Sequence, residues 1–406
     1  MFSRKSFKKN KFVFQIFILL CLLTTITIFL FKNKNHDNEI NISPKKISTA
    51  TVGSMGDLLI HSPILKSCKI SNMDYDFDSI FLLISPYIKK LDYAVINLET
   101  TLTSNPDRYS GYPTFRTPIN IIDSIKKAGF NMCLFANNHS ADGGEYGFIY
   151  TLDTLKRKKI DVIGSRSNFS DDKFIIKDIN GIKIGFECFT YGVISKTGQK
   201  YLNGIPISKI QGSLMNIFDY SKLDEFYDEQ EKIIKDMKNK GAEIIILYLH
   251  WGNEYKTTVS NYQKEISQKM CNLGVDVIIG SHPHVLQPLD ILKSATSDKK
   301  TICIYSLGNA ISNQRAELMN LKTGHTEDGV LFTVTFEKFD DNTVKLSDVN
   351  ILPTWTKLYN FNKNKIYQIV PLEGENLNET ATKKSFDRTM KLMDNGIKIF
   401  KKVCNE

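Results

Sequence analysis

Polar residues able to hold a metal ion or move a proton stand where apolar runs stop. Asp57 closes the run that starts near residue 48, and His61 follows four residues later. Glu99 closes a second run over 93–97. Asn138 and His139 close a third, with Asp142 three residues beyond. His250 ends the run over 243–249, and Glu254 follows it. His282 and His284 close the run over 275–280 as His-Pro-His. In open α/β sheets, ligands bind beyond the carboxyl ends of strands. Five strands delivering carboxylates, an amide and imidazoles therefore read as a metal-ligand set. Hard oxygen with borderline nitrogen suits Zn, Mn, Fe or Co better than Ca.

Each element alone has a plainer reading. Gly56-Asp57 also suits a turn, Glu99 a surface carboxylate, and Asn-Asn-His a turn with a hydrogen-bonded imidazole. The His-Pro-His pair is more specific, because an extended segment puts both rings on one face. Five of the seven histidines fall at these strand ends, while His36 and His325 lie in a linker and a loop. Arg116 stands in Phe-Arg-Thr-Pro, ahead of a helix expected from Pro118 to Ala128. It reads either as a surface arginine pairing with Asp107 or Asp123, or as a clamp whose planar fork grips carboxylate or phosphate.

The elements that must position these groups alternate strand and helix. Strands are expected at 48–54, 93–97, 131–136, 160–163, 243–249, 275–280 and 301–305. A hairpin is expected at 173–179 and 182–189 around Asn180-Gly181, and a late antiparallel pair at 330–336 and 344–351. Helices are expected at 118–128 (closed by Gly129), 146–158, 223–240 and 385–403. This is a mixed α/β pattern.

The chain has 406 residues and a net charge of +9. Seven of those charges, Arg4, Lys5, Lys8, Lys9, Lys11, Lys32 and Lys34, fall in the first 34 residues, which contain no acid. The rest is nearly neutral, so no basic face argues for nucleic-acid binding. Residues 12–31 carry no charge and span about 30 Å as a helix. The run is longer than a signal-peptide core, and more basic residues precede it than follow it. An uncleaved anchor is expected, with the N-terminus cytoplasmic and the body outside the cell membrane. The seven scattered cysteines show no zinc-type spacing and read as buried thiols. The expected organisation is a basic tail (1–11), a transmembrane helix (12–31), a linker (32–46), one domain (47–370) and a C-terminal helical extension (371–406).

The stretches VGSMGDLLIH, VINLETTL, FRTPINIIDSIKKAGFNMCLFANNHSADGG, YLHWGNEY, GVDVIIGSHPHVLQP and YSLGN together resemble the CapA family of poly-γ-glutamate capsule-synthesis proteins. That family is similar to calcineurin-type metallophosphatases. The resemblance implies a four-layer α/β/β/α sandwich holding one or two divalent ions (Mn, Zn or Fe). It implies Asp57, Glu99, Asn138, His250, His282 and His284 as ligands, with Glu99 where metallophosphatases place a bridging aspartate. His139 would be the proton donor, oriented by Asp142. Tyr305, Ser306 and Asn309 would shape the rim, with Arg116 and Glu254 as further substrate-binding residues. Two departures stand out. Leu59 occupies the position where metallophosphatases carry a histidine, so that His61 would substitute only if the chain turned helically after Asp57. Ala310 replaces an aromatic residue after Tyr-Ser-Leu-Gly-Asn.

Two functions follow from the resemblance. One is a membrane-anchored component of capsule-polymer synthesis or export, working with a polymer ligase and a small membrane subunit on an anionic polymer. The other is an independent cell-surface, metal-dependent phosphoesterase.

Overall fold

The computed structural model describes residues 4–34, 44–71, 74–320 and 322–404. The chain divides into two units, Met1–Lys45 and Lys46–Glu406. In the first, a helix runs from Arg4 to Lys34, and its stretch Lys11–Ile28 is long and apolar enough to cross a membrane. The hydroxyls of Thr24 and Thr25 donate to carbonyls one turn back, Leu20 at 3.0 Å and Cys21 at 2.9 Å. These polar groups are thereby satisfied without water, as a hydrocarbon environment requires. The start of the expected basic tail (1–3) and most of the expected linker (35–43) lie outside the described residues.

The second unit is built on two large sheets. The first runs in the order Asn364–Pro371, Val344–Phe361, Asp328–Phe339, Lys46–Leu58, Tyr93–Leu98, Met132–Leu134, Asp161–Ile163. Its last four strands are parallel and the others antiparallel. The second runs Ile217–Phe218, Ile182–Tyr191, Ile244–His250, Val277–Ser281, Lys300–Leu307, Leu286–Lys293. Side chains alternate between two burials. Val95, Ile246 and Tyr248 enter the core between the sheets, whereas Ala94 and Ile96 face one outer layer, and Ile245, Leu247 and Leu249 the other. Strands covered on both faces read as continuous apolar runs, which is why they stood out in the sequence.

Helices close both outer faces. Asn120–Ala128 lays Ile121, Ile122 and Ile125 on the first sheet. Leu223–Asn239 and Asn261–Leu273 lay Ile233, Ile234, Met237, Ile266 and Met270 on the second. Each such side chain contributes about 1.5–3 kcal/mol on burial. The result is the expected four-layer α/β/β/α sandwich. The C-terminal helix Thr380–Cys404 also packs on this unit, with Met393 and Phe400 in the core between the sheets. Cys68, Cys133, Cys188, Cys271 and Cys303 are buried free thiols.

Local signals mostly held. Asn180 (φ 53°) and Gly181 (φ 82°) make the hairpin turn, and Gly129 (φ 110°) caps its helix. Boundaries shift at several elements: the C-terminal helix begins at Thr380 rather than at residue 385, and another helix begins at Asn120, not Pro118. Residues Arg116–Pro118 instead form a short strand beside Thr101–Thr103. The helix Asn261–Leu273, opened by a Ser260–Gln263 capping box, and the small sheet over 193–206 were not anticipated.

Candidate metal centre

Strand register assembles the site. Asp57 lies opposite Asn97 on one side and Asn309 on the other, and His250 lies opposite Ser281. The two sheets thus bring their carboxyl ends to one place. Donor atoms of Asp57, Glu99 and His250 lie within 4.8 Å of one another, and so do those of Glu99, His282 and His284. Glu99 belongs to both groups. Asn138 joins through its Oδ1, which lies 2.7 Å from His250 Nε2.

The donors fit a cation. Both carboxylate oxygens of Glu99, and Nδ1 of His282, are buried with no hydrogen-bond partner among the described residues. A buried carboxylate without a donor is costly unless a positive charge sits beside it. Burial, then the nearby carboxylates of Asp57, Glu254 and Asp142, push the Glu99 pKa well above the ordinary range. Burial, with neighbouring imidazoles, holds His250 and His282 well below theirs. These two imidazoles are therefore neutral, as ligands must be.

Other side chains fix these donors. Asp57 Oδ2 accepts from the His282 backbone N–H at 3.2 Å and lies 3.0 Å from His284 Nδ1. Asn97 Nδ2 donates to Asp57 Oδ1 at 2.8 Å, and Asn137 Nδ2 donates to Asn97 Oδ1 at 3.1 Å. Ser281 Oγ lies 3.1 Å from His250 Nδ1. Such outer partners orient metal-binding rings. Nothing in their residue types gives Asn97, Asn137 or Ser281 a role in the sequence alone. Their only signal was adjacency to the strand-end donors.

His-Pro-His works by a different backbone than expected. The segment is not extended: His282 has φ 95° and His284 φ 56°, both left-handed. Each such non-glycine residue costs of order 1–3 kcal/mol. Hydrogen bonds from Tyr255 N to Pro283 O (2.8 Å) and from Asn309 Nδ2 to His284 O (3.2 Å) hold the turn. It brings the two rings to 5.9 Å between centroids.

His139 stands at the edge of the cluster. Its Nδ1 lies 2.8 Å from Asp142 Oδ2, the oxygen that also accepts from the Phe115 backbone N–H at 2.6 Å. Arg116 Nη2 donates to the Asp142 carbonyl at 2.8 Å. It pairs with neither Asp107 nor Asp123, and Asp123 is instead bridged by Lys158 at 2.6 Å. Asn309 is buried, with Oδ1 3.1 Å from His284 Nδ1. Glu254 is exposed beside Tyr255.

Two candidates are not brought into the cluster. The chain does not turn helically after Asp57, because the strand continues to Leu58 and the next helix starts at Ser62. His61 Nδ1 accepts from the Asn313 N–H at 3.2 Å, and its ring is separated from His139 by Phe115. Tyr305 is 4% exposed, and its ring packs among the helix-side core residues near Trp251. Strand alternation turns Cys303 and Tyr305 to the helix layer and Ile302 and Ile304 to the sheet interface.

Carboxylates, an amide and imidazoles at the carboxyl ends of two packed sheets define an α/β protein with a candidate divalent-metal centre. Residues 51–314 match the family described as "Bacterial capsule synthesis protein PGA_cap", and the chain belongs to that family. It is 27% identical over 321 residues to the capsule biosynthesis protein CapA of Bacillus anthracis, covering 77% of this chain and 72% of that protein. It is 25% identical over 311 residues to the PGA biosynthesis protein CapA of Bacillus subtilis (strain 168), covering 76% and 74%. The structure of Haemophilus influenzae NAD nucleotidase (NadN) aligns with a TM-score of 0.45 and 13% identity. That alignment covers 88% of this chain and 60% of the other.

Proposed function

We propose that this chain is a membrane-anchored, extracytoplasmic component of capsule synthesis or export, acting on poly-γ-glutamate. One or two divalent ions (Mn, Zn or Fe) would be held by Asp57, Glu99, Asn138, His250, His282 and His284. The observation that carries the reading is that every one of these donors falls inside the family match at 51–314. The apolar stretch Lys11–Ile28 supports the anchor, and the excess of basic residues before it supports an outward-facing body. A polymer ligase and a small membrane subunit are the partners this role calls for.

Bound divalent ions would supply charge that polarises a phosphoryl or carbonyl oxygen and acidifies water. The chain's own groups do the rest. Asp142 accepts from His139 Nδ1, which leaves Nε2 as the atom that holds or releases a proton. Arg116, tied to the Asp142 carbonyl beside it, offers a planar fork to a carboxylate or phosphate. Arg116→Lys is expected to fold and keep its metal but to weaken anionic-ligand binding by about 1.5–3 kcal/mol. Calorimetric titration with a short poly-γ-glutamate checks this, and undiminished affinity rejects the clamp.

The phosphoesterase reading draws on the His139–Asp142 pair, an arrangement suited to proton transfer. Polymer output separates the two functions. In cells lacking the gene, capsule polymer should fall, and the wild-type gene should restore it. His282→Ala with His284→Ala should not. Full restoration by that double variant removes the cluster from the function. Unchanged polymer in the deletion favours the phosphoesterase. Protease added to wall-stripped cells should digest the body, and its full protection contradicts the outward topology.

A further inference from the structure

The small sheet over 193–206 ends in a two-residue turn, Asn203-Gly204, between the paired strands Lys200–Leu202 and Ile205–Pro206. Asn203 has φ 48° and Gly204 φ 74°, the left-handed pair that asparagine and glycine tolerate best. The turn itself is exposed, but its flanks are fixed. Leu202 and Ile207 are buried in the core between the sheets, and the Ile194 N–H donates to Asp219 Oδ2 at 2.6 Å. A rigidly held turn tip therefore projects onto the strand-end cluster.

Asn203 meets Asn138 there twice. Its Nδ2 donates to the Asn138 backbone carbonyl at 3.2 Å, and its Oδ1 accepts from Asn138 Nδ2 at 3.1 Å. A carbonyl oxygen can only accept, so the Asn203 amide can face it one way round. That orientation leaves an oxygen facing the Asn138 side chain, which must answer with its nitrogen. Asn138 Oδ1 is then committed to the other side, 2.7 Å from His250 Nε2 and within the donor cluster. One backbone carbonyl thus sets the polarity of two amides in series.

We propose that Asn203 is a positioning residue that holds the oxygen, not the nitrogen, of the Asn138 amide toward the metal centre. Without it, Asn138 is free to rotate half a turn and present an N–H group that no cation accepts. This rests on the metal-centre reading given above. It adds a contribution from outside the strand-end motifs, made by a turn.

Cobalt(II) is a suitable probe, since its visible spectrum reports both affinity and coordination. Full-length wild type, Asn203→Gly and Asn203→Asp would be titrated in detergent after metal removal. Glycine keeps the left-handed backbone while deleting both hydrogen bonds. Aspartate also tolerates that backbone but has no N–H for the Asn138 carbonyl, so it loses the bond that sets the amide polarity and would place oxygen against oxygen. The glycine variant is expected to bind cobalt about 10–100-fold more weakly, the range for loss of an orienting partner. Its visible bands should change, and its metal-free melting midpoint should stay within about 2 °C of wild type. The aspartate variant, lacking the same donor, should also bind cobalt more weakly than wild type. A glycine variant equal to wild type overturns the proposal, as does an aspartate variant equal to wild type. A wild type that takes up no cobalt overturns this proposal together with the metal centre. Uptake by wild type with an unchanged glycine variant overturns this proposal alone.

Discussion

Replacing Glu99 by glutamine is expected to stabilise the metal-free protein and, at the same time, to abolish tight metal binding. In the metal-free state this carboxyl is buried beside Asp57, and neither oxygen has a hydrogen-bond partner among the described residues, the His250 Nε2 atom lying 3.5 Å from Oε1. Its removal relieves an unsatisfied group, worth on the order of 2 kcal/mol. The sign of the pH dependence follows from the raised pKa. Stability from a group that binds its proton more tightly when folded is complete below the unfolded value, near 4.5, and is lost as pH rises toward the folded value. The gain in the glutamine variant should therefore grow as pH rises above about 4.5. Metal affinity should move the other way. Four ligands share roughly 10–16 kcal/mol in tight structural sites, so losing a shared carboxylate should cost about 100–1000-fold. Urea unfolding of chelator-treated protein and zinc competition titrations read the two effects separately. A variant that is less stable without metal, yet still holds zinc, would show Glu99 to be structural.

Asp328→Ala should cost about 3–5 kcal/mol, the range for stranding one partner of a buried ion pair. Asp328 is buried, accepts from Arg388 Nε at 2.8 Å and Nη2 at 2.7 Å, and accepts from Ser385 Oγ at 2.6 Å. Both partners come from the helix Thr380–Cys404. Burial pushes the Asp328 carboxyl up to about 6 even with Arg388 against it, so desolvation rivals the attraction. Joint replacement, Asp328→Leu with Arg388→Met, is accordingly expected to lie within about 1 kcal/mol of wild type. Urea unfolding midpoints check both, and an Asp328→Ala loss under about 1 kcal/mol would contradict the account. The junction also touches the site. The Thr326 carbonyl, in the same turn, accepts from Asn309 Nδ2 at 2.9 Å, and Asn309 Oδ1 faces His284. The C-terminal helix thereby braces the segment behind an imidazole donor.

Much of the fold was legible because both sheets are covered on both faces. Continuous apolar runs such as 93–97 and 243–249 mark such strands without any need for alternation. The donors were legible for a related reason: an apolar run that stops at Asp57, Glu99, Asn138 or His250 stops where a parallel sheet presents its carboxyl edge. Spacing did not reveal the backbone between them. His282 and His284 converge through two left-handed residues rather than through an extended segment. The expected place of Tyr305 on the rim failed on alternation, since a residue two after Cys303 must share its helix-side face. Asn97 and Ser281 look like ordinary strand-end polarity, and only register shows them beside Asp57 and His250, while Asn137 acts one step back, through Asn97. Asn203 was the least legible. It lies 65 residues from Asn138 in sequence, in an Asn-Gly turn whose local chemistry explains it completely. Nothing short of the folded chain indicates what its side chain grips.

On this reading the strand-end cluster holds a metal ion in the purified protein. Elemental analysis of the full-length protein, purified in detergent without chelator, tests it most directly. At least one equivalent of Mn, Zn or Fe per chain is predicted for wild type. His282→Ala with His284→Ala should carry none while keeping the wild-type circular dichroism spectrum. A wild type that carries no transition metal, and takes up none when offered all three at micromolar concentration, would contradict the account.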